Sequence, residues 1–397
     1  MRLAQRAERM APFYVMEVAK AAALKAAQVA HTSRPMVYLN IGEPNFTAPP
    51  LVQEAAERAI RDGRTQYTPA TGLPALRERI SGWYHSRFGV SVAPERIVVT
   101  AGASAALQLA CLALIETGDQ VLMPDPCYPC NRQFVAAAGG EAVLLPTTAA
   151  DRFQLNAEQV QAAWGPATRG VLLASPSNPT GTSIGQTTLE QIARWVRERQ
   201  GVTLVDEIYL GLGYDGGYGH SALGLPDGLG EGVISVNSFS KYFNMTGWRL
   251  GWLVVPPALV GPVERLAQNL FICASTVAQH AALACFEPES LATYEARRSD
   301  FKARRDYVIP ALNRVGLPVP VVPDGAFYAW ADCTRLAQHW GVKDSWDLAF
   351  ELMERCHLAV TPGRDFGVAD TGRFVRLSTA SALPQLEEAV RRLEAAW

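Results

Sequence analysis

Seven short runs of apolar, largely β-branched residues stand out along the first two thirds of the chain: Arg96–Thr100, Gln120–Met123, Ala142–Leu145, Val171–Ala174, Val202–Val205, Val233–Val236 and Leu250–Val255. Turn residues bound each run. Between them lie stretches with helical spacing, at Ala105–Thr117, Asn131–Ala138, Leu155–Trp164 and Thr187–Gln200. Near-continuous apolar strands that alternate with helices predict an α/β fold around a largely parallel sheet. Right-handed crossovers would put helices on both of its faces.

The pattern changes near residue 290. A long charged helix is predicted over Pro288–Gly316, then strands around Val319–Val322 and Ala326–Ala331. A helix over Ser345–Cys356, a strand over Phe374–Leu377 and a last helix over Pro384–Ala396 follow. This is an α+β unit. With 397 residues the chain exceeds one ordinary core. The expected organisation is an N-terminal segment, 1–45, that joins the small domain, a large domain, 46–288, and a C-terminal small domain, 289–397.

Composition narrows the function classes. Apolar residues make up 49% and charged residues 19%, as in a globular chain. The 36 basic residues nearly balance the 38 acidic ones, and no basic run stands out, so nucleic acid and anionic membrane are poor partners. The apolar segment Val15 to Ala30 is broken by Glu17, Lys20 and Lys25 and reads as an amphipathic helix, not a signal or a membrane span. Seven cysteines fit a reducing cytoplasm. Cys127 and Cys130 form one C-x-x-C; without a second such pair no metal site is expected, and both read equally as small apolar loop residues.

The chemistry-bearing residues fall where the predicted strands end, which is where open α/β sheets bind ligands. Gly102-Ala103-Ser104 opens a helix and offers backbone N–H groups and a hydroxyl to a phosphate. Tyr128 could stack on a flat ring or simply pack. Ser175-Pro176-Ser177-Asn178-Pro179-Thr180-Gly181 is a constrained turn that carries one amide. Asp206 closes a buried strand and needs a cationic partner, unless it caps a helix. Ser238-Phe239-Ser240-Lys241, with Arg249 eight residues on, combines an amine able to form an imine with hydroxyls and a guanidinium suited to a phosphate dianion. Imine and phosphate together suggest pyridoxal 5'-phosphate.

These motifs, in this order, resemble the class I/II aminotransferase family of fold-type I pyridoxal phosphate enzymes, which includes aspartate aminotransferases. The resemblance also takes in Gly42-Glu43-Pro44, Tyr67-x-Pro69-x-x-Gly72, Asp206-x-x-Tyr209, Gly325-Ala326-Phe327-Tyr328 and Arg376. It implies a large domain with a mostly parallel mixed sheet and a smaller α+β domain. It implies that Lys241 carries the cofactor and moves the proton, that Asp206 pairs with the pyridine nitrogen, and that Tyr209 and Asn178 contact the phenolic oxygen. Tyr128 would stack on the ring. Ser104, Ser238, Ser240 and Arg249, with the Ala103 amide, would bind the phosphate. Tyr67 would reach the neighbouring subunit's phosphate in a homodimer. Arg376 would clamp the substrate carboxylate, and Gly42 would lie against the substrate.

The implied activity is ping-pong transamination between an L-amino acid and a 2-oxo acid, within amino-acid metabolism. Some relatives specific for acidic substrates carry a lysine in the turn after the first strand. Ser104 stands there instead, which points to a neutral, apolar or aromatic donor. A C–S β-lyase on the same scaffold is the alternative. A regulator with a DNA-binding domain is not expected, because Gly42-Glu43-Pro44 comes too early to leave room for one.

Overall fold

The structure, a computed structural model, describes all residues except 1, 5, 6, 9, 11–13 and 216–218. Its strands are β1 (Val37–Tyr38), β2 (Ile97–Thr100), β3 (Gln120–Asp125), β4 (Glu141–Pro146), β5 (Thr168–Ala174), β6 (Val202–Asp206), β7 (Ile234–Ser238), β8 (Gly251–Val254), β9 (Tyr328–Asp332), β10 (Leu358–Ala359), β11 (Thr361–Pro362) and β12 (Phe374–Ser378). Seven of them form one sheet in the order β2-β8-β7-β6-β5-β3-β4. The pairs from β4 through β7 are parallel, while β8 runs antiparallel to both of its neighbours. The apolar runs predict a largely parallel sheet, and its mixed character is what the resemblance implies. β2, β7 and β8 are buried along their whole length, as strands covered on both faces must be.

Parallel register decides where the site lies. Asp206 pairs with Ala174 on one side and with Val236 on the other. The turns that leave β5, β6 and β7 therefore open at one edge of the sheet. The helix Gly102–Leu114, which follows β2, starts at that same edge and packs on β7 and β8.

A second sheet, β11-β12-β9, is antiparallel, and β1 pairs in parallel with β10. Val37 and Leu39 share a core with residues from Val308 to Leu393. The helix Tyr14–Val29 packs Val18 and Ala22 against Met353 and Ala359. The helix Pro288–Arg314 serves two cores: Tyr294 and Phe301 lie in the cluster of the large sheet, and Val308, Ile309 and Leu312 in that of the small one.

One expected strand, Val319–Val322, does not form. Pro320 removes a ladder donor within the run, Pro318 and Pro323 flank it, and the Val319 N–H donates to Asn313 Oδ1 (2.8 Å). The pattern does not single out several elements that do form, among them the helices Pro50–Arg61, Pro74–Phe88, Val260–Leu270 and Thr276–Leu283 and the two-residue strands β1, β10 and β11; the other differences are at element ends, such as the helix that opens at Gly102 rather than Ala105.

The segment 363–370 is tied to the end of β3. Val368 and Ala369 N–H groups donate to Asp125 Oδ2 (2.9 Å each), and Cys127 N–H donates to the Phe366 carbonyl (2.7 Å). Position 367 must be glycine for this approach, since a Cβ there would stand 1.6 Å from Asp125 Oδ1. No helix among the described residues is long and apolar enough to cross a membrane.

Candidate active site

At the exit of β7, Ser238 Oγ donates to Ser240 Oγ (2.9 Å) and accepts from the Ser240 N–H (3.0 Å), which curls the chain toward Lys241. Arg249 returns to the same place with a left-handed backbone (φ +51°). That conformation costs a non-glycine residue about 1–3 kcal/mol and marks a position where the side chain's direction matters. Its Nη1 donates to the Thr246 carbonyl (3.1 Å). Opposite lies the start of the helix Gly102–Leu114. A Cβ on Gly102 would meet Arg249 Nη2 at 2.6 Å, so glycine there (φ +80°) lets the guanidinium reach the helix N-terminus. Hydroxyls of Ser104, Ser238 and Ser240, the Arg249 guanidinium and free helix N–H groups thus converge, a donor set that suits a phosphate dianion.

Asp206 ends β6 and is buried; its Oδ1 accepts the Ile208 N–H (3.0 Å). Burial raises its pKa to about 6, against which the Ile208 hydrogen bond and the charge of Lys241 act only in part. A carboxylate held this way is short of a cation. Lys241 faces the same cavity, with Nζ donating to the Gly42 carbonyl (2.6 Å). Burial first, then the charges of Arg376 and Arg249, lower its pKa from 10.5 to about 8, against the pull of Glu43 and Asp206. A fall of that size raises the neutral amine fraction at pH 7 about 300-fold. The neutral amine is the form that can bond to an aldehyde or accept a proton.

On the other side, Arg376 is 4% exposed. Its Nη1 donates to Asn178 Oδ1 (2.9 Å), and its Nη2 to the Asn40 carbonyl (2.7 Å) and to Thr361 Oγ1 (3.3 Å). Among the described residues no carboxylate pairs with it, and its buried Nε has no partner. A buried guanidinium without a counter-ion is costly and suits an anionic ligand. The Arg376 guanidinium lies 4.6 Å over the Tyr328 ring, and the Tyr328 hydroxyl is 2.7 Å from that of Tyr209.

These groups surround one cavity of about 360 Å³. Gly42, Ala103, Ser104, Tyr128, Asn178, Asp206, Tyr209, Ser238, Ser240, Lys241, Arg249 and Arg376 all line it. Tyr67 does not; it is 80% exposed on the surface. Gly42 meets the Tyr328 hydroxyl, which a Cβ at position 42 would approach to 2.3 Å. Burial pushes the Tyr128 phenol up, and Cys130 lies beside it. Cys127 is likewise buried, all seven cysteines are free, and no group of three or more metal-ligating side chains occurs among the described residues.

Three contributors were not visible as candidates in the sequence. Asn40 acts through its backbone carbonyl, which no side-chain pattern reveals. Val15, Met16 and Ala19 form an apolar wall from a helix distant in sequence. Tyr328 stood in a motif but carried no role until its hydroxyl was seen beside Tyr209.

The donor set tests well against pyridoxal 5'-phosphate: a dianion cradle, a carboxylate lacking a cation, and an amine with a lowered pKa stand around one cavity. The profile described as aminotransferase class I and II matches residues 34–393. The chain is 38% identical over 382 residues to the valine–pyruvate aminotransferase of Mycobacterium tuberculosis, covering 96% of this chain and 95% of that protein. It is 33% identical over 365 residues to the aromatic-amino-acid aminotransferase 2 of Thermococcus litoralis, covering 90% and 91%. The crystal structure of an aminotransferase from Mycobacterium tuberculosis superposes with a TM-score of 0.92 at 38% identity, covering 100% of this chain and 99% of that one.

Proposed function

Since the chain belongs to the class I and II aminotransferase family, is a transaminase and uses pyridoxal 5'-phosphate, we propose that its amino donor is a neutral, apolar or aromatic L-amino acid and that the reaction is ping-pong. One observation carries the donor class. Among the described residues, the cations that line the cavity are Lys241, Arg249 and Arg376. Each has a task in this reading, so none is left for a second carboxylate. The remaining wall, Val15, Met16, Ala19 and Ile41, is apolar and suits a hydrocarbon side chain. The valine and aromatic donors in the names of these two relatives are of the same kind, while other relatives at 33–34% identity are named for aspartate.

The residue roles form part of the proposal. Ser104, Ser238, Ser240 and Arg249, with the Ala103 N–H, hold the phosphate. Tyr128 lies against the ring. Asp206 would hold the pyridine nitrogen and favour its protonated form, which would satisfy the carboxylate's need for a cation. Tyr209 and the Asn178 amide donate to the phenolic oxygen. Arg376 takes the substrate carboxylate through its N–H groups. When bound, pyridoxal phosphate supplies the electron sink for the charge left on the donor's Cα. Lys241 Nζ, about half of it neutral near pH 8, would accept the proton from the donor's Cα and hold it for return. A 2-oxo acid then enters the same clamp, and the same groups run in reverse.

A homodimer in a reducing compartment such as the cytoplasm belongs to the same reading. Tyr67, with exposed Leu270, Phe271 and Ile272, supports an interface through which Tyr67 reaches the partner's phosphate. The chain divides its work between a large domain, 46–288, that holds the cofactor and a small domain, built from 1–45 and 289–397, that supplies Arg376.

The test is a panel of amino donors against one saturating 2-oxo acid. Valine, leucine or phenylalanine is expected to exceed aspartate in kcat/KM by at least tenfold, the discrimination that an unpaired buried carboxylate produces. Aspartate as the best donor would overturn the assignment.

A further inference from the structure

Tyr209 and Tyr328 form a buried pair of phenols. They are 3% and 2% exposed, their hydroxyls are 2.7 Å apart, and their rings meet edge to face at 5.6 Å and 84°. We propose that Tyr328 is a positioning residue for the cofactor: it donates its proton to the Tyr209 oxygen and so turns the Tyr209 proton toward the cofactor's phenolic oxygen. This rests on the reading above in which Tyr209 contacts that oxygen.

The direction of the bond follows from the surroundings. A phenol that donates to a ligand needs its own oxygen satisfied by another donor, and the Tyr328 hydroxyl is at the right distance to be that donor. The Arg376 guanidinium lies over the Tyr328 ring at 4.6 Å. A cation there withdraws charge from the ring and makes its O–H the better donor of the two. Hydrogen bonds in series polarise one another, so the outer one strengthens the inner. The charged groups that face the pair are Arg376 and Asp206.

The fold fixes Tyr328 for this role. It opens β9 opposite Ser378 of β12, which places it diagonally beside Arg376 on one face of the small sheet. The strap before it is pinned to the turns after β5 and β6: Gly325 N–H donates to the Gly181 carbonyl (3.0 Å), and Ala326 N–H to the Leu212 carbonyl (3.1 Å). Ala326 takes a left-handed conformation (φ +56°) to do so. Gly42 leaves the space that the Tyr328 hydroxyl fills.

The experiment is a pH titration of the visible absorbance of the cofactor-loaded protein, in wild type, Y209F, Y328F and the double variant. A donor to the phenolic oxygen holds that transition at low pH, so weakening it moves the transition up. Y328F keeps the ring under Arg376 and removes only the hydroxyl. Its expected shift is upward by about half a unit to one unit, the scale of one hydrogen bond. The double variant is expected to match Y209F alone, because Tyr328 acts through Tyr209. Gly42→Ala, whose Cβ displaces the same hydroxyl, is expected to shift the transition the same way. A shift in Y209F with none in Y328F or Gly42→Ala, or a double variant that shows the sum of both, would overturn the inference alone. No shift in Y209F would instead defeat the assignment of Tyr209, and this inference with it.

Discussion

Lys241→Ala is expected to lower turnover by more than about 10⁴-fold, the loss typical when a group that both bonds to the cofactor and moves a proton is removed. The variant should still fold. Among the described residues, the Gly42 carbonyl is the one hydrogen-bond partner of Nζ, and the removal of Nζ takes away a cation whose charged form burial disfavours. The variant should also still take up cofactor, because the hydroxyls of Ser104, Ser238 and Ser240 and the Arg249 guanidinium remain. Mass spectrometry after mild hydride reduction separates the two functions: wild type should retain the cofactor on the peptide that contains Lys241, and the variant should retain none. Turnover near that of wild type would remove Lys241 from the centre of the site.

Arg376→Ala is expected to act on the substrate instead. Truncating one member of a desolvated charge pair costs about 2–5 kcal/mol, a loss in kcat/KM of roughly 30- to 4,000-fold. The effect should fall on donor and acceptor alike, because both present a carboxylate to the same clamp. Cofactor absorbance should survive, as Arg376 is not one of the groups that hold the phosphate in this reading. Arg376→Lys should lose less than alanine yet not recover wild-type rates, since an ammonium cannot reproduce the planar fork. Equal activity with lysine would mean that charge alone, not bidentate geometry, holds the substrate.

How much of this was legible in the sequence depended on which link in the chain carried the information. The large sheet was readable because strands buried on both faces leave near-continuous apolar runs, as in Val202–Val205 and Ile234–Val236. The grouping of residues at its edge was readable because a lysine between hydroxyls and an arginine, or an aspartate after a buried strand, is hard to explain by packing alone. The strand expected at Val319–Val322 does not form because Pro320 removes a donor within the run and Pro318 and Pro323 flank it, which apolar content alone does not reveal. Asn40 was illegible because it acts through its main chain. The apolar wall was illegible because Met16 and Ile41 meet the cavity only through the pairing of β1 with β10 and the docking of the helix Tyr14–Val29, neither of which leaves a local signature. Tyr328 fell between these cases: its motif was visible, and its contact with Tyr209 needed the strap that carries its hydroxyl there.

The most direct test of the central claim is a single half-reaction. The cofactor-loaded protein is mixed with valine and no 2-oxo acid, and its spectrum is followed to completion. The expected result is loss of the visible band, a matching rise in the near ultraviolet, and one equivalent of 2-oxo acid per active site, with the first spectrum restored when pyruvate is added. Continued release of oxo acid and ammonia without an acceptor, or a spectrum that no amino acid changes, would contradict transfer of an amino group through this site.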